Sequence, residues 1–128
     1  MSEVQSIPNE ATRAVDSYIA SWNEFDAGRR RAIIAEAWAE NGRYVDPHTS
    51  AAGREAIDAM IGEAQGGFPD HSIRLAHGPD AYNDRARFIW HLVGPDGGDE
   101  PVAVGMDVAT LTPDGRISEV VGFRGSLG

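Results

Sequence analysis

Apolar residues recur at helical spacing in three stretches of the first half of the chain. The first stretch covers residues 8–24 and begins at Pro8, a residue suited to the first turn of a helix. The second covers residues 27–39 and ends before Gly42, because glycine takes a left-handed stop at little cost. The third covers residues 54–65. The apolar positions on the three helix faces are Ala11, Val15, Tyr18, Ile19, Trp22, Ile33, Ile34, Ala37, Trp38, Ile57, Met60, Ile61 and Ala64.

The second half of the chain changes to the period-two alternation of strands. Residues 71–77 alternate, and residues 85–93, 101–112 and 116–124 are apolar runs separated by turns and loops. A short strand, residues 43–46, lies between the second and third helices. Strands joined by short turns pair antiparallel, and helices confined to the other half of the chain pack on one face of such a sheet. The pattern predicts an α+β fold with an antiparallel sheet against three N-terminal helices.

The strand predicted over residues 101–112 is apolar on both faces. Its alternating positions are Val102, Val104, Met106 and Val108 on one face, and Ala103, Gly105, Asp107 and Ala109 on the other. Small residues opposite helices leave a space, and Asp107 stands in that space. Because a single layer of helices covers only one face of the sheet, we expect the other face to meet a second copy in a homodimer.

Composition limits the chemistry and the partners. The 128 residues correspond to one domain, residues 1–128, and a formal charge of −9 argues against a nucleic-acid partner. No apolar run is as long as a membrane span and no signal-peptide pattern opens the sequence, so we expect a cytoplasmic protein with no membrane partner. The chain has neither cysteine nor lysine, which excludes thiolate chemistry and Schiff bases on lysine, including covalent pyridoxal phosphate. We expect no cofactor.

Asp46 stands where the short strand meets Pro47, in the sequence Gly42-Arg-Tyr-Val-Asp-Pro-His48. Proline cannot donate a hydrogen bond to a strand ladder, so pairing ends there. A carboxylate at a strand end can face a pocket rather than the core. The structural alternative is a turn aspartate that accepts hydrogen bonds from its own backbone.

Two motifs and the order of elements resemble the nuclear transport factor two-like superfamily, and within it the SnoaL-like group of polyketide cyclases. The motifs are Tyr-x-Asp-Pro at residues 44–47 and Asp-Gly-x-Ile at residues 114–117. The resemblance covers nearly the whole chain. It implies a cone-shaped α+β barrel in which a curved antiparallel sheet wraps around three N-terminal helices. It also implies a ligand cavity and, usually, a dimer.

A finer similarity is to ketosteroid isomerase, a member of that superfamily, at three positions. Tyr18 matches its catalytic tyrosine, Asp46 matches its base aspartate, and Asp107 matches the aspartic acid of its oxyanion hole. The resemblance implies that Asp46 abstracts a proton while Asp107 and Tyr18 stabilise the enolate. The isomerase supports its tyrosine with a second tyrosine from the third helix, where this chain has Met60 and Ile61.

Each catalytic candidate has a structural alternative. A buried carboxylate at Asp107 is costly unless it is protonated or satisfied by a neighbouring Arg or Trp. Tyr18 is equally suited to the core as an amphipathic tyrosine. His71 shares its strand face with Ile73, so it points inward and is a candidate proton relay or a polar core residue. His91 is a candidate for substrate binding, and either face of its strand is open as the cavity side.

The remaining candidates concern metals and the cavity wall. Asp46, His48 and His71 have no His-x-x-x-His or His-x-His spacing, so we predict no metal site. Aromatic and soft apolar residues suited either to the core or to a cavity for a flat apolar ligand are Trp22, Trp38, Tyr44, Met60, Phe68 and Trp90.

These observations favour a cofactor-independent acid–base enzyme whose partner is a small hydrophobic molecule. The reaction would be isomerisation or cyclisation next to a carbonyl group, with Asp46, Asp107, Tyr18 and His71 as catalytic residues. A non-catalytic ligand-binding or dimerisation module is the alternative. Water chemistry of the hydratase or epoxide-hydrolase type is a third possibility in the same fold.

Overall fold

The computed structural model describes residues 2–97 and 100–125, with side chains from residue 9 onward. Within that part of the chain, three helices and six strands confirm the predicted α+β class. The elements are α1 (Ser2–Asn23), α2 (Ala27–Ala37), β1 (Trp38–Val45), β2 (Ser50–Ala52), α3 (Arg54–Gly67), β3 (Ser72–Tyr82), β4 (Arg85–Val93), β5 (Ala103–Leu111) and β6 (Ile117–Arg124). None of the described helices is both long enough and apolar enough to cross a membrane.

The strands form one curved, unclosed sheet in the order β2-β1-β6-β5-β4-β3. Neighbouring strands pair antiparallel, as predicted, except that β1 and β6 run parallel. Parallel pairing requires a long connection, and here most of the chain separates the two strands. This pairing sets Val45 of β1 beside Val121 of β6, so the ends of these two strands meet in space.

Two element boundaries differ from the prediction at the junction of α2 and β1. Helix α2, capped by Asp26 through the backbone N–H of Arg29, ends at Ala37, and Trp38 already has extended dihedrals. Gly42 lies inside β1 rather than after a helix. A Cβ at Gly42 would collide with the Trp38 ring, so the glycine allows that fully buried indole to approach the backbone.

Two other element boundaries also differ from the prediction. Helix α1 begins at Ser2, whereas the prediction began at Pro8, whose side chain lies outside the described ones. Strand pairing was expected to end at Pro47, but residues Ser50–Ala52 form a further strand, β2. Backbone pairing with β1, from Val45 and Ser50 inward, accounts for this short strand.

The core fills the space between the helices and one face of the sheet. Its fully buried large side chains include Ile34, Trp38, Ile57, Ile61, Phe88, Ile117 and Val120. Tyr18 of α1 packs edge-on against Phe88 of β4, with ring centroids 5.7 Å apart. As predicted, the small-residue side of β5 is the buried side, and Asp107 stands there with only 2% of its surface exposed.

Asn23 joins the end of α1 to the outer edge of β3. Its side-chain Nδ2 donates to the carbonyl of Ile73 at 2.8 Å, and its Oδ1 accepts from the N–H of Ile73 at 2.7 Å. Because β3 is an edge strand, these two bonds occupy the backbone groups that a further strand would use. The contact holds α1 against the sheet on the side opposite β1.

The other face of the sheet carries a contiguous apolar surface. Cross-strand neighbours on that face are Ile89 beside Met106, Met106 beside Phe123, and Val108 beside Val121. Phe123 is 49% exposed. This is the surface at which the sequence predicts a second copy, and the homodimer stays a prediction.

Candidate functional site

Two adjoining spaces lie between the helices and the sheet, and together they form the candidate site. The inner chamber, of about 40 Å³, is lined by Tyr18, Ile19, Trp22, Tyr44, Ile73, Trp90, Asp107 and Arg124. The outer cavity, of about 450 Å³, shares Trp22, Ile73, Trp90 and Arg124 with it and adds apolar residues of α3 and the strands. The larger volume is within the usual range for small-molecule sites, about 300–1,000 Å³, whereas the smaller holds only a small group or a few waters.

Tyr18 and Asp107 form a buried pair at the inner chamber. The Tyr18 hydroxyl donates to Asp107 Oδ2 at 2.9 Å, linking α1 to β5 across 89 positions of sequence. The indole of Trp90, on the neighbouring strand β4, also donates to Asp107. A Cβ at Gly105 would collide with the Trp90 ring, so the small residue beside Asp107 makes room for its indole partner.

The Asp107 carboxyl has an unusual protonation equilibrium. Burial raises its pKa to about 6, against the opposing effect of the hydrogen bonds from Trp90 and Tyr18. Both protonation states of Asp107 are therefore populated near neutral pH. Burial, followed by the negative charge of Asp107, raises the pKa of Tyr18 well above its usual value, so this phenol stays neutral and remains a donor.

A second Tyr–Asp pair lies beside the first. The Tyr44 hydroxyl donates to Asp46 Oδ2 at 2.5 Å, and Arg124 Nη2 donates to the same oxygen at 2.7 Å. The backbone N–H groups of His48 and Thr49 donate to Oδ1 at 2.8 and 3.0 Å. The Asp46 side chain is 2% exposed and accepts four hydrogen bonds.

These partners keep Asp46 ionised. Burial alone would raise its pKa, but the hydrogen bonds from Tyr44 and His48, the charge of Arg124 and the Thr49 N–H together hold it below the usual value. Asp46 therefore combines low basicity with a full set of donors. Asp46 lines neither the inner chamber nor the outer cavity, whereas its partners Tyr44 and Arg124 line the inner chamber.

Gly122 of β6 separates the two Tyr–Asp pairs. A Cβ at this position would lie 2.8 Å from Asp107 Oδ1, 3.4 Å from the Asp46 Cβ and 3.7 Å from the Tyr44 hydroxyl. Any other residue would force one of the pairs to move. The absence of a side chain at this position thus lets two carboxyl groups share one end of the sheet.

Arg124 borders both spaces at the junction between them. Its guanidinium carbon lies 4.9 Å above the centre of the Trp90 ring, and Asp46 accepts one of its hydrogen bonds. The stacking and the ion pair fix this group from two sides. Its side chain is still 35% exposed.

The structure brings seven of the predicted residues to the two spaces. Tyr18, Tyr44 and Asp107 line the inner chamber, Phe68 and His71 line the outer cavity, and Trp22 lines both. His71 Nδ1 lies 2.8 Å from the Pro69 carbonyl, which can only accept, so Nδ1 carries a proton and Nε2 is the acceptor of the neutral ring. Trp90, a predicted wall residue, also lines both spaces.

The other predicted residues lie elsewhere. Asp46 stands behind Tyr44 and Arg124, as described above. Trp38 is fully buried in the core, and Met60 packs partly buried against that core from α3. His91 is on the opposite face of β4, because Trp90 and Leu92 take the side that faces the cavity.

Sequence reasoning missed Arg124, Ile73 as a lining residue, and Phe25 at the outer cavity. An arginine at the end of a strand is usually solvated, so nothing in the local sequence singled out Arg124. Its position follows from the parallel pairing of β1 with β6, which was not predicted. Phe25 is 49% exposed in the link between α1 and α2, which has no periodic pattern.

No group of three or more His, Asp or Glu side chains among the described residues is arranged to hold a metal ion. The expected absence of a metal and of a cofactor stays a prediction.

Comparison with known proteins places the chain in a family. The SnoaL-like domain family matches residues 15–120. A candidate isomerase of the SnoaL-like family from Agrobacterium tumefaciens strain C58 is 43% identical, with a TM-score of 0.86, and the match covers 92% of this chain and 99% of that one. Among curated proteins, none matches this chain.

More distant structures share the fold at low identity. A candidate SnoaL-like polyketide cyclase from Jannaschia sp. CCS1 is 18% identical, with a TM-score of 0.72 over 92% of this chain and 87% of that one. A protein with a ketosteroid isomerase-like fold from Catenulispora acidiphila is 17% identical, with a TM-score of 0.69 over 85% and 82% of the two chains. The family match and the closely similar Agrobacterium structure together show that this chain belongs to the SnoaL-like family, with the cone-type α+β fold of the nuclear transport factor two-like superfamily.

Proposed function

We propose that this protein is a cofactor-independent acid–base enzyme that isomerises or cyclises a small hydrophobic carbonyl compound. The observation that carries the proposal is the Asp107 carboxyl, which is buried in an otherwise largely apolar chamber and hydrogen-bonded to Tyr18. A carboxyl with a pKa of about 6 accepts and returns protons efficiently near neutral pH. The 43% identical relative described as a candidate isomerase supports the same reaction class.

In this proposal Asp107 moves the proton. Its carboxylate removes a proton from the carbon next to the substrate carbonyl; the electron pair of that C–H bond forms a carbon–carbon double bond, and the π pair of the carbonyl moves onto oxygen to give the enolate. For isomerisation, the Asp107 acid returns the proton to another carbon of the conjugated system. For cyclisation, the enolate carbon attacks a second carbonyl and the proton goes to the new alkoxide.

Donors at the chamber would stabilise the enolate. Trp22 lines both spaces, and its buried indole Nε1 lies near enough to Tyr18 to lower the pKa of that phenol but makes no hydrogen bond of normal geometry among the described residues. A buried donor without a partner costs about 1–3 kcal/mol, so a ligand oxygen that accepts from it is favoured. The Tyr44 hydroxyl also borders the chamber and stays protonated, because burial raises its pKa well above the usual value.

The sequence-based assignment of Asp46 as the base is weaker in this geometry. Asp46 would have to give up hydrogen bonds from Tyr44, Arg124 and two backbone N–H groups before it accepted a proton. Its low pKa also makes it a poor base. We propose instead that Asp46 positions Tyr44 and Arg124.

A non-catalytic ligand-binding module is the second candidate function. The small volume of the inner chamber favours it, because only a small part of a ligand reaches Asp107. In that case the outer cavity binds an apolar molecule and Asp107 is a structural group.

The test is deuterium exchange at the α-carbon of hydrophobic ketones, followed by NMR in heavy water with 2-tetralone as the first probe. Wild type should accelerate exchange, and Asp107→Asn should abolish the acceleration because an amide does not accept the proton. Asp80→Asn, an exposed carboxylate paired with Arg87 outside both spaces, is the matched control. The enzyme proposal fails if ketones bind but exchange no faster than in buffer, and the binding module is then favoured.

A further inference from the structure

The outer cavity differs in charge from the chain that forms it. The chain has 20 acidic and 11 basic residues, yet no described Asp or Glu lines this cavity. The titratable side chains that do line it are Arg124, His48 and His71. A Cβ at Gly94 would lie 3.4 Å from Asp96 Oδ1 and 3.8 Å from His71 Nε2, so the Asp96 carboxylate stands near the His71 ring outside the cavity lining. A ligand that enters the cavity therefore meets a cation and two imidazoles.

Arg124 is available to a ligand on the cavity side. Its guanidinium makes one hydrogen bond among the described residues, to Asp46, and lies over the Trp90 ring. Asp46 lines neither space, so the positive end of the ion pair borders the cavity and the negative end lies behind it. A guanidinium has five N–H donors in a fixed fork that matches a carboxylate, and most of them remain unused here.

Apart from Gln65, the rest of the outer cavity wall is apolar. Phe25, Phe68, Ile73 and Leu92 surround the space, and Trp22 and Trp90 border it where it meets the inner chamber. Phe25 and Phe68 are both about half exposed at the opening. Exposed aromatic side chains at the mouth of an apolar cavity suit a flat hydrophobic ligand.

We propose that the outer cavity binds a hydrophobic carboxylate whose anionic group is held by Arg124 and whose apolar body lies against the aromatic wall. The carboxylate site names the substrate class of the proposed function. It rests on the proposed function only in treating the bound acid as the substrate. The carboxylate at Arg124 would anchor the molecule where the two spaces meet. A carbonyl elsewhere in the same molecule then reaches the inner chamber.

The experiment compares 2-naphthoate with 2-naphthamide, which has the same shape and no charge, by isothermal titration calorimetry. Wild type should bind the acid at least about tenfold more tightly than the amide, because a hydrogen bond to a charged group stabilises more than a neutral one. Raising the salt concentration should weaken binding of the acid alone. Equal affinity for the two probes, or binding of neither at millimolar concentration, overturns the proposal.

Variants at Arg124 assign the preference to that residue. Arg124→Gln should weaken acid binding about tenfold or more and leave amide binding within about threefold, whereas Arg124→Lys should retain part of the preference. Arg87→Gln, which also removes an arginine paired with an aspartate but outside the outer cavity, should change neither affinity. An equal loss for both probes in Arg124→Gln counts against the proposal. If that variant does not fold, the two probes and the salt series on wild type still decide.

The outcomes separate this inference from the proposed function. If the protein prefers the acid but catalyses no proton exchange, the enzyme proposal is rejected and the carboxylate-site proposal stands. Catalysed exchange of neutral ketones without acid preference rejects the carboxylate site and keeps the enzyme.

Discussion

Replacing Asp107 by asparagine tests the protonation equilibrium on which the site depends. The folded-state pKa of Asp107 is about 6, and its usual value is 3.8. Because the folded pKa is raised, the folded state binds the proton more tightly than the unfolded state. Stability from this group is therefore present at low pH and is lost as pH rises from about 4 to above 6.

The size of the loss follows from the difference between the two pKa values. Each pH unit between them corresponds to about 1.4 kcal/mol, so wild type should lose roughly 2–3 kcal/mol from this group between pH 4 and pH 8. Asp107→Asn has no such ionisation. Its own constant cost, from imperfect bonds to Tyr18 and Trp90, is the same at both pH values and cancels in the comparison.

Urea unfolding of wild type and Asp107→Asn at the two pH values measures the effect. The free energy of unfolding of wild type minus that of the variant should be larger at pH 4 than at pH 8 by roughly 2–3 kcal/mol. Asp80→Asn is the control, because loss of its exposed ion pair should change the free energy of unfolding by less than about 1 kcal/mol. If that difference in free energy of unfolding stays constant or grows as pH rises, Asp107 is an ionised, paired group. The role of Asp107 in proton transfer would then be withdrawn.

Four further predictions use the neighbouring residues and the sheet. Asp46→Asn should show the opposite pH dependence, costing about 2 kcal/mol at pH 7 and less as pH falls towards 3, because the folded pKa of Asp46 is lowered; urea melts without that trend would contradict it. Gly122→Ala should cost roughly 1–3 kcal/mol and lower any proton-exchange activity, since the new methyl group meets Asp107; a variant with wild-type melting and activity would refute this. Asn23→Ala should cost about 2 kcal/mol and raise hydrogen exchange at the N–H of Ile73, and unchanged exchange there would argue against the edge-strand contact. Light scattering at micromolar concentration should give about twice the chain mass of 13.7 kDa, and a monomer mass would count against the homodimer.

The class of the fold was predictable because the spacing of apolar residues along the chain shows which side of each helix and strand is buried. The face of β5 that carries Gly105, Asp107 and Ala109 was assigned to the helix side from small residues alone, and it is the buried side. Boundaries were less predictable where tertiary contacts overrode local signals. Trp38 fits a helical stripe in sequence, but it leaves the helix so that its indole can pack over Gly42.

The sequence predicted those residues of the candidate site that are unusual in their local sequence context. Asp107 is out of place in an apolar strand, and Asp46 is marked by Pro47, so both stood out in the sequence. The state of each carboxyl depends on partners distant in sequence. Arg124 reaches Asp46 only because β6 pairs parallel with β1, and no local pattern encodes that pairing. The cavity side of the strand that carries His91 was left open, because His91 shares its face with Ile89 as well as Arg87, and apolar residues also fill the other face.

The opposite protonation behaviour of the two carboxyls follows from the donors that each receives. Among the described residues, Asp46 has an arginine and two backbone N–H groups as donors in addition to its tyrosine, whereas Asp107 has a tyrosine and an indole in an apolar setting. The negative charge of Asp46 raises the pKa of Asp107 further, so fixing one carboxylate helps to keep the proton on the other. When the surroundings of two like titratable groups push their pKa values apart, one group can serve as acid or base while the other stays ionised. In the proposed mechanism, this division gives Asp107 the exchangeable proton and leaves Asp46 to hold Arg124 and Tyr44 in place.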